Sequence, residues 1–415
     1  MVRTLRAIFC TLTLIVATFA SLPTAGARQS APLLPITILV SIDGWRWDYI
    51  DRFAPDAIGR LARAGVRAEG LIPIFPSKTF PNHYTIVTGQ HAARHGIVSN
   101  SMVDPALPGR FTLSNRDVQQ DTRWWGAEPL WITAERQGRR AATMFWPGSD
   151  VEITGRRPTY WRPYEHELPN SERVDVLLSW LGQPEPVRPT FLTLYFSDVD
   201  TAGHDAGPDA PETRQAALAI DTAVDRLVSG VERLGLTSRT NFVLVSDHGM
   251  ATLSPDRVIF FDDYFDVSTV DVIESAPLVG LTPRAGVSAD AVYAALRDKH
   301  PALKVYTRGT LPEALRLRDH PRLPEVIGIA DDGWHPTTRA MLARNNGAIP
   351  AGNHGYEPKN RSMHGLFVAT GPQFKSGVVV PAFDNIHIYE LLCRVLGLIP
   401  ASNDGDGAVT RAFLR

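Results

Sequence analysis

Three apolar runs in this chain end on acidic residues: ITILVSIDG at Asp43, FLTLYFSDVDTAGH at Asp198 and Asp200, and NFVLVSDHGM at Asp247 and His248. A short run rich in β-branched and aromatic residues, without polar alternation, is the pattern of a strand buried on both faces, as in a parallel sheet covered by helices. A fourth such run covers 140–146, and helix-like segments lie between the runs at 55–64, 84–88, 171–181 and 211–234. The chain is therefore read as an α/β fold with a central, mainly parallel sheet and helices on both faces. Functional groups in such folds gather beyond the carboxyl ends of the strands. The three runs thus deliver their carboxylates to one edge.

With 415 residues, 44% hydrophobic and 21% charged, the chain can bury a large core and is not a disordered one. A formal net charge of -2 supplies no broad basic field, so no nucleic-acid polymer is expected and a small molecule is the expected partner. Oligomeric state is not set by any of these features. Arg3 and Arg6 precede an apolar run over 8–20, followed by Pro23 and Ala25-Gly26-Ala27. That order is a secretory signal, 1–27, cleaved after Ala27. The apolar run is shorter than the roughly 20 residues of a spanning helix, so no membrane anchor is expected after cleavage and the protein is expected in a periplasm or secreted. Residues 28–415 then form one domain with Cys393 as its single cysteine and no intramolecular disulfide. The segment 146–169, WPGSDVEITGRRPTYWRPYEHELP, has neither helical nor strand periodicity and reads as a loop insertion over the site.

Single histidines and aspartates are common structural residues, but six of them here share a setting. Asp43, Asp200 and Asp247 follow strand ends; His248 adjoins Asp247 and precedes Gly249; His354 lies between Gly352 and Gly355 in a polar loop. Asp200 and His204 are four apart, on one face if helical, although Gly203 and the preceding strand favour a tight loop. Three carboxylates and three imidazoles without a thiolate make a ligand set for two ions, zinc by preference, with manganese or a related ion as the alternative. Two such ions can hold the attacking and leaving oxygens of an in-line displacement at phosphorus. Thr79, in PSKTFPNHYTIVTG, reads in isolation as a helix cap. Beside a dication its hydroxyl becomes a nucleophile.

The motifs SIDGWRWDY, FPSKTFPNHYTIVTG, HGIVSNSMVDP, FWPGSDVEI, YFSDVDTAGH, VSDHGM, NHGYE, MHGLFVATGP and IYELLCRVLGLIPASNDG resemble, in order, those of the nucleotide pyrophosphatase/phosphodiesterase family of the alkaline phosphatase superfamily. The resemblance covers nearly all of 28–415 and implies a bare phosphodiesterase catalytic domain with an alkaline-phosphatase-like core. It implies two Zn2+ ions, one held by Asp43, Thr79, Asp247 and His248 and the other by Asp200, His204 and His354. Asp198 competes with Asp200, and the D-x-x-G-H spacing favours Asp200. The implied chemistry is attack by Thr79 to give a covalent nucleotidyl-threonine, later hydrolysed to a nucleoside 5′-monophosphate. Asn100 matches the asparagine that supports a non-bridging phosphate oxygen.

Phe80 and Tyr164 match the walls of a nucleobase slot, and Leu113 and Tyr195 match further pocket positions. Lys78 either biases the local field towards phosphate or is solvated. His83, His91 and His95 match no ligand position and read as hydrogen-bonded supports. The rival readings are a phosphodiesterase of choline or lysolipid substrates, a phosphomonoesterase on the same core, and a non-enzymatic secreted metal-binding protein. Each of the seven metal-ligand positions is filled by the expected residue type.

Overall fold

The computed structural model describes residues 33–415; the expected export signal lies outside the described residues. Its largest sheet has eight strands, in the spatial order Val378–Val380, Val66–Ala68, Phe367–Thr370, Thr240–Val245, Ile36–Ile42, Phe191–Phe196, Ala141–Met144 and Tyr160–Trp161. Seven run in one direction and Phe367–Thr370 runs against them. The expected mainly parallel sheet is thus present, with one reversed strand.

The centre of this sheet is buried on both faces, which explains its uninterrupted apolar runs. Along Ile36–Ile42, Ile36, Ile38, Val40 and Ile42 enter one core with the helices Asp56–Ala64, Asn170–Leu181 and Pro211–Arg233. Leu39 enters the opposite core with Thr79–Thr88, Leu130–Arg136 and Ile388–Leu396. This alternation is the period-2 geometry of a strand. The helices are also tied to one another by buried polar groups. Helix Asp56–Ala64 starts after Pro55 without a side-chain cap of its own, and buried Asp221 from the long helix accepts from Ala57 N at 3.0 Å and Ile58 N at 2.7 Å. Trp124 and Trp125 are both buried.

A second sheet was not legible in the sequence pattern. Its four antiparallel strands lie in the order Val270–Glu274, Leu278–Pro283, Val326–Ala330 and Leu303–Thr307, with the helix Ala289–Leu296 and a separate core. Among the described residues no helix is long and apolar enough to cross a membrane, and Cys393 is buried and free.

Candidate functional site

The three central parallel strands end in register: Ile42 lies opposite Phe196, and Ser41 opposite Val245. Asp43, the residues after Phe196, and Asp247 with His248 therefore emerge side by side at one sheet edge. Gly44 makes the crowding possible, because it has φ +67° and a Cβ there would stand 2.8 Å from Asp200 Cα. Asp200 and His204 lie in the helix Asp198–Ala206, not in the tight loop expected for them. Gly203 is explained by packing, since a Cβ there would meet Met250 Cε at 3.0 Å. One helical turn places the two ligand candidates together, with His204 Nε2 3.6 Å from Asp200 Oδ1. Asp198 instead opens this helix and accepts from Asn170 Nδ2 at 2.9 Å.

The imidazoles share one arrangement. His248 Nδ1 donates to Gly249 O, His204 Nδ1 to Gly352 O and His354 Nδ1 to Ser77 O, each at 2.9 Å. A neutral ring held this way presents the lone pair of Nε2 on its other side. Those atoms face carboxylate oxygens: His248 Nε2 is 3.4 Å from Asp43 Oδ1 and 3.0 Å from Asp247 Oδ2, and His354 Nε2 is 3.7 Å from Asp200 Oδ1. Asp43 Oδ1, Asp200 Oδ1 and Asp247 Oδ2 are buried and have no hydrogen-bond partner. Lone pairs aimed at orphaned carboxylate oxygens repel unless a cation lies between them.

The titration behaviour of the protein alone points the same way. Burial pushes the Asp43 carboxyl well above its ordinary range, and Asp247 and Asp200 push it further. Burial also raises Asp200. Burial opposes ionisation of Asp247, but His248 and His83 outweigh it and hold that carboxyl well down. Burial, then the neighbouring His248 and His204, push His354 far below the usual imidazole range. Three carboxylates this close do not all ionise without positive charge, so the residues fit divalent ions. Three overlapping groups could each hold an ion: Asp200, His204 and His354; Asp43, Asp200 and His248; and Asp43, His83 and Asp247. His248 Nε2 faces both Asp43 and Asp247. His83 also stands near Asp247, but its Nδ1 donates to Thr79 O at 2.9 Å and its Nε2 accepts from Ser41 Oγ at 2.8 Å. Neither ring nitrogen has a lone pair left to offer.

Thr79 is the first residue of the helix Thr79–Thr88, and the cap position belongs to Lys78, so the capping reading of Thr79 does not hold. Its Oγ1 instead points to His248 Nε2 at 3.4 Å. Asn100 is adjacent: its Oδ1 accepts from Phe80 N at 2.9 Å, which leaves the two Nδ2 donors free for another acceptor. Lys78 is not solvated. It is buried and paired with Glu274 at 2.7 Å.

A cavity of about 260 Å³ opens beside Thr79, and Phe80, Leu113, Tyr164 and Tyr195 all line it. Phe80 packs on Phe111 and Trp125, and Tyr164 packs edge-on against Phe145 and Tyr195. Tyr195 has a second contact, its hydroxyl donating to Asp43 Oδ2 at 2.6 Å, so it also orients a candidate ligand carboxylate. The segment 146–169 contributes Trp146, Asp150, Tyr164 and His166 to the lining. It is not wholly loop, because Tyr160–Trp161 adds an edge strand to the main sheet. Sequence reasoning passed over Arg116, Asp150 and His166. Arg116 pairs with buried Asp150 on the cavity wall, and His166 Nδ1 lies 3.0 Å from the Tyr164 hydroxyl. The signal for Asp150 was the motif FWPGSDVEI itself, whose aspartate has no local partner; Arg116 and His166 had none.

The type I phosphodiesterase / nucleotide pyrophosphatase family matches residues 37–357. Human ectonucleotide pyrophosphatase/phosphodiesterase family member 5 is 34% identical over 369 residues, 89% of this chain and 76% of that protein. Venom phosphodiesterase of Naja atra is 36% identical over 378 residues, 89% of this chain but 45% of the relative, so the chain spans under half of that longer protein. Among solved structures, an inactive threonine-to-alanine variant of murine family member 5 in complex with AMP superposes with a TM-score of 0.87 at 33% identity, covering 92% of this chain and 100% of that one.

Proposed function

The chain belongs to the type I phosphodiesterase / nucleotide pyrophosphatase family and is a hydrolase of that class, and we propose that it cleaves nucleotide phosphodiester and pyrophosphate bonds at a two-zinc site with Thr79 as nucleophile. The observation that carries this reading is the common tethering of His204, His248 and His354 through Nδ1, with Nε2 turned to unpartnered carboxylate oxygens. Asp43, Asp247, His248 and Thr79 would hold one ion, and Asp200, His204 and His354 the other. Their oxygen and imidazole donors suit zinc. Bound dications lower the pKa of a hydroxyl and stabilise charge on the attacking and leaving oxygens.

The residues of the chain then divide the work. Thr79 Oγ forms a bond to phosphorus as the bond to the leaving oxygen breaks, and the threonine proton passes to solvent. Water displaces the nucleotide from Thr79 in a second step, returning a proton to the hydroxyl and releasing a nucleoside 5′-monophosphate. Asn100, its carbonyl oxygen fixed by Phe80 N, offers its amide hydrogens to a non-bridging phosphate oxygen. The start of helix Thr79–Thr88 favours an anion at the same place. Phe80 and Tyr164 hold the base between aromatic faces. The AMP complex of the murine relative supports a nucleoside monophosphate as the group retained in the cavity.

A substrate panel tests the reading. The p-nitrophenyl ester of thymidine 5′-monophosphate and ATP are expected to release nucleoside monophosphates. p-Nitrophenyl phosphate and p-nitrophenylphosphorylcholine should be poor substrates, and preference for either would overturn the nucleotide assignment. Phe80→Ala should raise KM by roughly 5- to 150-fold, the equivalent of losing about 1 to 3 kcal/mol of stacking, with a smaller change in kcat.

A further inference from the structure

Glu274 belongs to the four-stranded sheet, outside the metal and base sites, yet its side chain is buried against Lys78, the residue before Thr79. Its strand is irregular at that point. Val272 pairs with Leu281, but the next pair is Glu274 with Gly280, so the register shifts between them. A bulge of this kind re-aims the side chain that follows it. Gly280, the partner of Glu274 in the ladder, makes room for Pro324, since a Cβ there would stand 2.6 Å from Pro324 Cγ.

The re-aimed carboxylate makes two contacts through one oxygen. Glu274 Oε1 accepts from Lys78 Nζ at 2.7 Å and from Ser99 Oγ at 2.6 Å. Lys78 directly precedes Thr79, and Ser99 directly precedes Asn100. The Asn100 side chain in turn accepts from the Phe80 amide. These contacts close a ring that runs from Glu274 through Lys78, Thr79, Phe80, Asn100 and Ser99 back to Glu274. Lys78 is confined to this path, since a Cβ on Gly355 would lie 2.9 Å from Lys78 Cε. The ammonium is neutralised by Glu274 and does not serve as a free positive charge for phosphate.

We propose that Glu274 is a positioning residue that fixes the Thr79 hydroxyl and the Asn100 amide relative to each other, and that this is the contribution of the four-stranded sheet to the reaction. The inference rests on Thr79 and Asn100 acting as stated above. Small misplacement of reacting groups is costly, up to roughly 10²-fold for about 1 Å, while the three carboxylates and three imidazoles of the metal sites and Tyr164 of the base slot lie outside the ring, and Phe80 joins it only through its backbone amide. The signature is therefore a fall in kcat with KM preserved.

Three variants of the full chain test it: Ser99→Ala, Ser99→Thr, and the double Lys78→Met/Glu274→Leu, which removes both buried charges together and avoids leaving one unpaired. Each is assayed with the p-nitrophenyl ester of thymidine 5′-monophosphate, for inhibition by AMP, for bound metal and for unfolding midpoint. Ser99→Ala should lower kcat by roughly tenfold and the double variant by up to roughly 100-fold. KM, metal content and AMP inhibition should stay within about twofold, and Ser99→Thr, which returns the hydroxyl, should recover most of the loss. Wild-type kcat in Ser99→Ala, or in a folded double variant, overturns the proposal, as does a loss confined to KM. Ser99→Ala removes a single hydroxyl and decides the matter alone if the double variant does not fold. Failure of the underlying functional reading shows differently, as a wild-type protein that releases no nitrophenol from the ester.

Discussion

Thr79→Ala is expected to lower turnover of nucleotide diesters by roughly 10³-fold or more, the scale seen when a covalent nucleophile is deleted. Its effect on folding should be small. The Thr79 hydroxyl makes no cap, and its one close polar neighbour is His248 Nε2 at 3.4 Å, so the expected loss of stability is about 1 kcal/mol or less. Metal content should persist, because Asp43, Asp247 and His248 remain around one ion and the other donor set is untouched. Thr79→Ser should keep part of the activity. Near-wild-type turnover in the alanine variant, with metal still bound, would contradict attack by Thr79.

Removal of metal is the second large effect. Dialysis against a chelator should abolish turnover, and zinc should restore it. The loaded protein should also be the more stable form, by about 4 kcal/mol per site at a metal concentration near a thousand times Kd. The pH dependence has a defined sign. In the metal-free site the Asp43 and Asp200 carboxyls sit above their ordinary range through burial first, with Asp247 adding to the effect on both. They therefore bind protons that must leave before a cation enters, and the ligand imidazoles bind metal as neutral rings. Metal affinity should rise from acid to neutral pH, as the Asp43 and Asp200 carboxyls and the His248 imidazole give up their protons. Burial opposes protonation of His248, but Asp247 outweighs it and holds that ring above its ordinary range, whereas His354 is held far below the usual imidazole range and stays neutral. Metal occupancy measured across this range checks the sign. Full activity after exhaustive chelation would contradict the metal assignment.

The parts of this site legible in the sequence were those encoded over short stretches. An apolar run followed by Asp43, by Asp200 or by Asp247 and His248 announces both a buried strand and what it carries at its end. Adjacency of those ends follows from a parallel sheet, and the structure joins the three runs as neighbours. The Asp200–His204 helix was misread as a loop because a glycine at 203 usually weakens a helix, and the compensating reason, contact with Met250, lies outside the motif. Thr79 looked like a cap for a similar reason: threonine before a helical run commonly is one, and only the position of His248 shows where its hydroxyl points.

Long-range pairing was not legible at all. Lys78 and Glu274 are 196 residues apart, and nothing near either residue names the other. The four-stranded sheet was missed because its strands, such as VDVIE and LKVYT, are short and mix charged with apolar residues. Their pairing is set by tertiary contacts, to which strand propensity is subordinate. The Arg116–Asp150 pair on the cavity wall was hidden in the same way.

The central claim is that hydrolysis proceeds through two displacements at phosphorus, the first by Thr79. Its most direct measurement is the stereochemical course of hydrolysis of a nucleotide diester made chiral at phosphorus by sulfur substitution, carried out in 18O-labelled water. Each in-line displacement inverts phosphorus, so attack by Thr79 followed by attack by water predicts product with overall retention of configuration. Overall inversion would mean a single attack by water and would contradict the account.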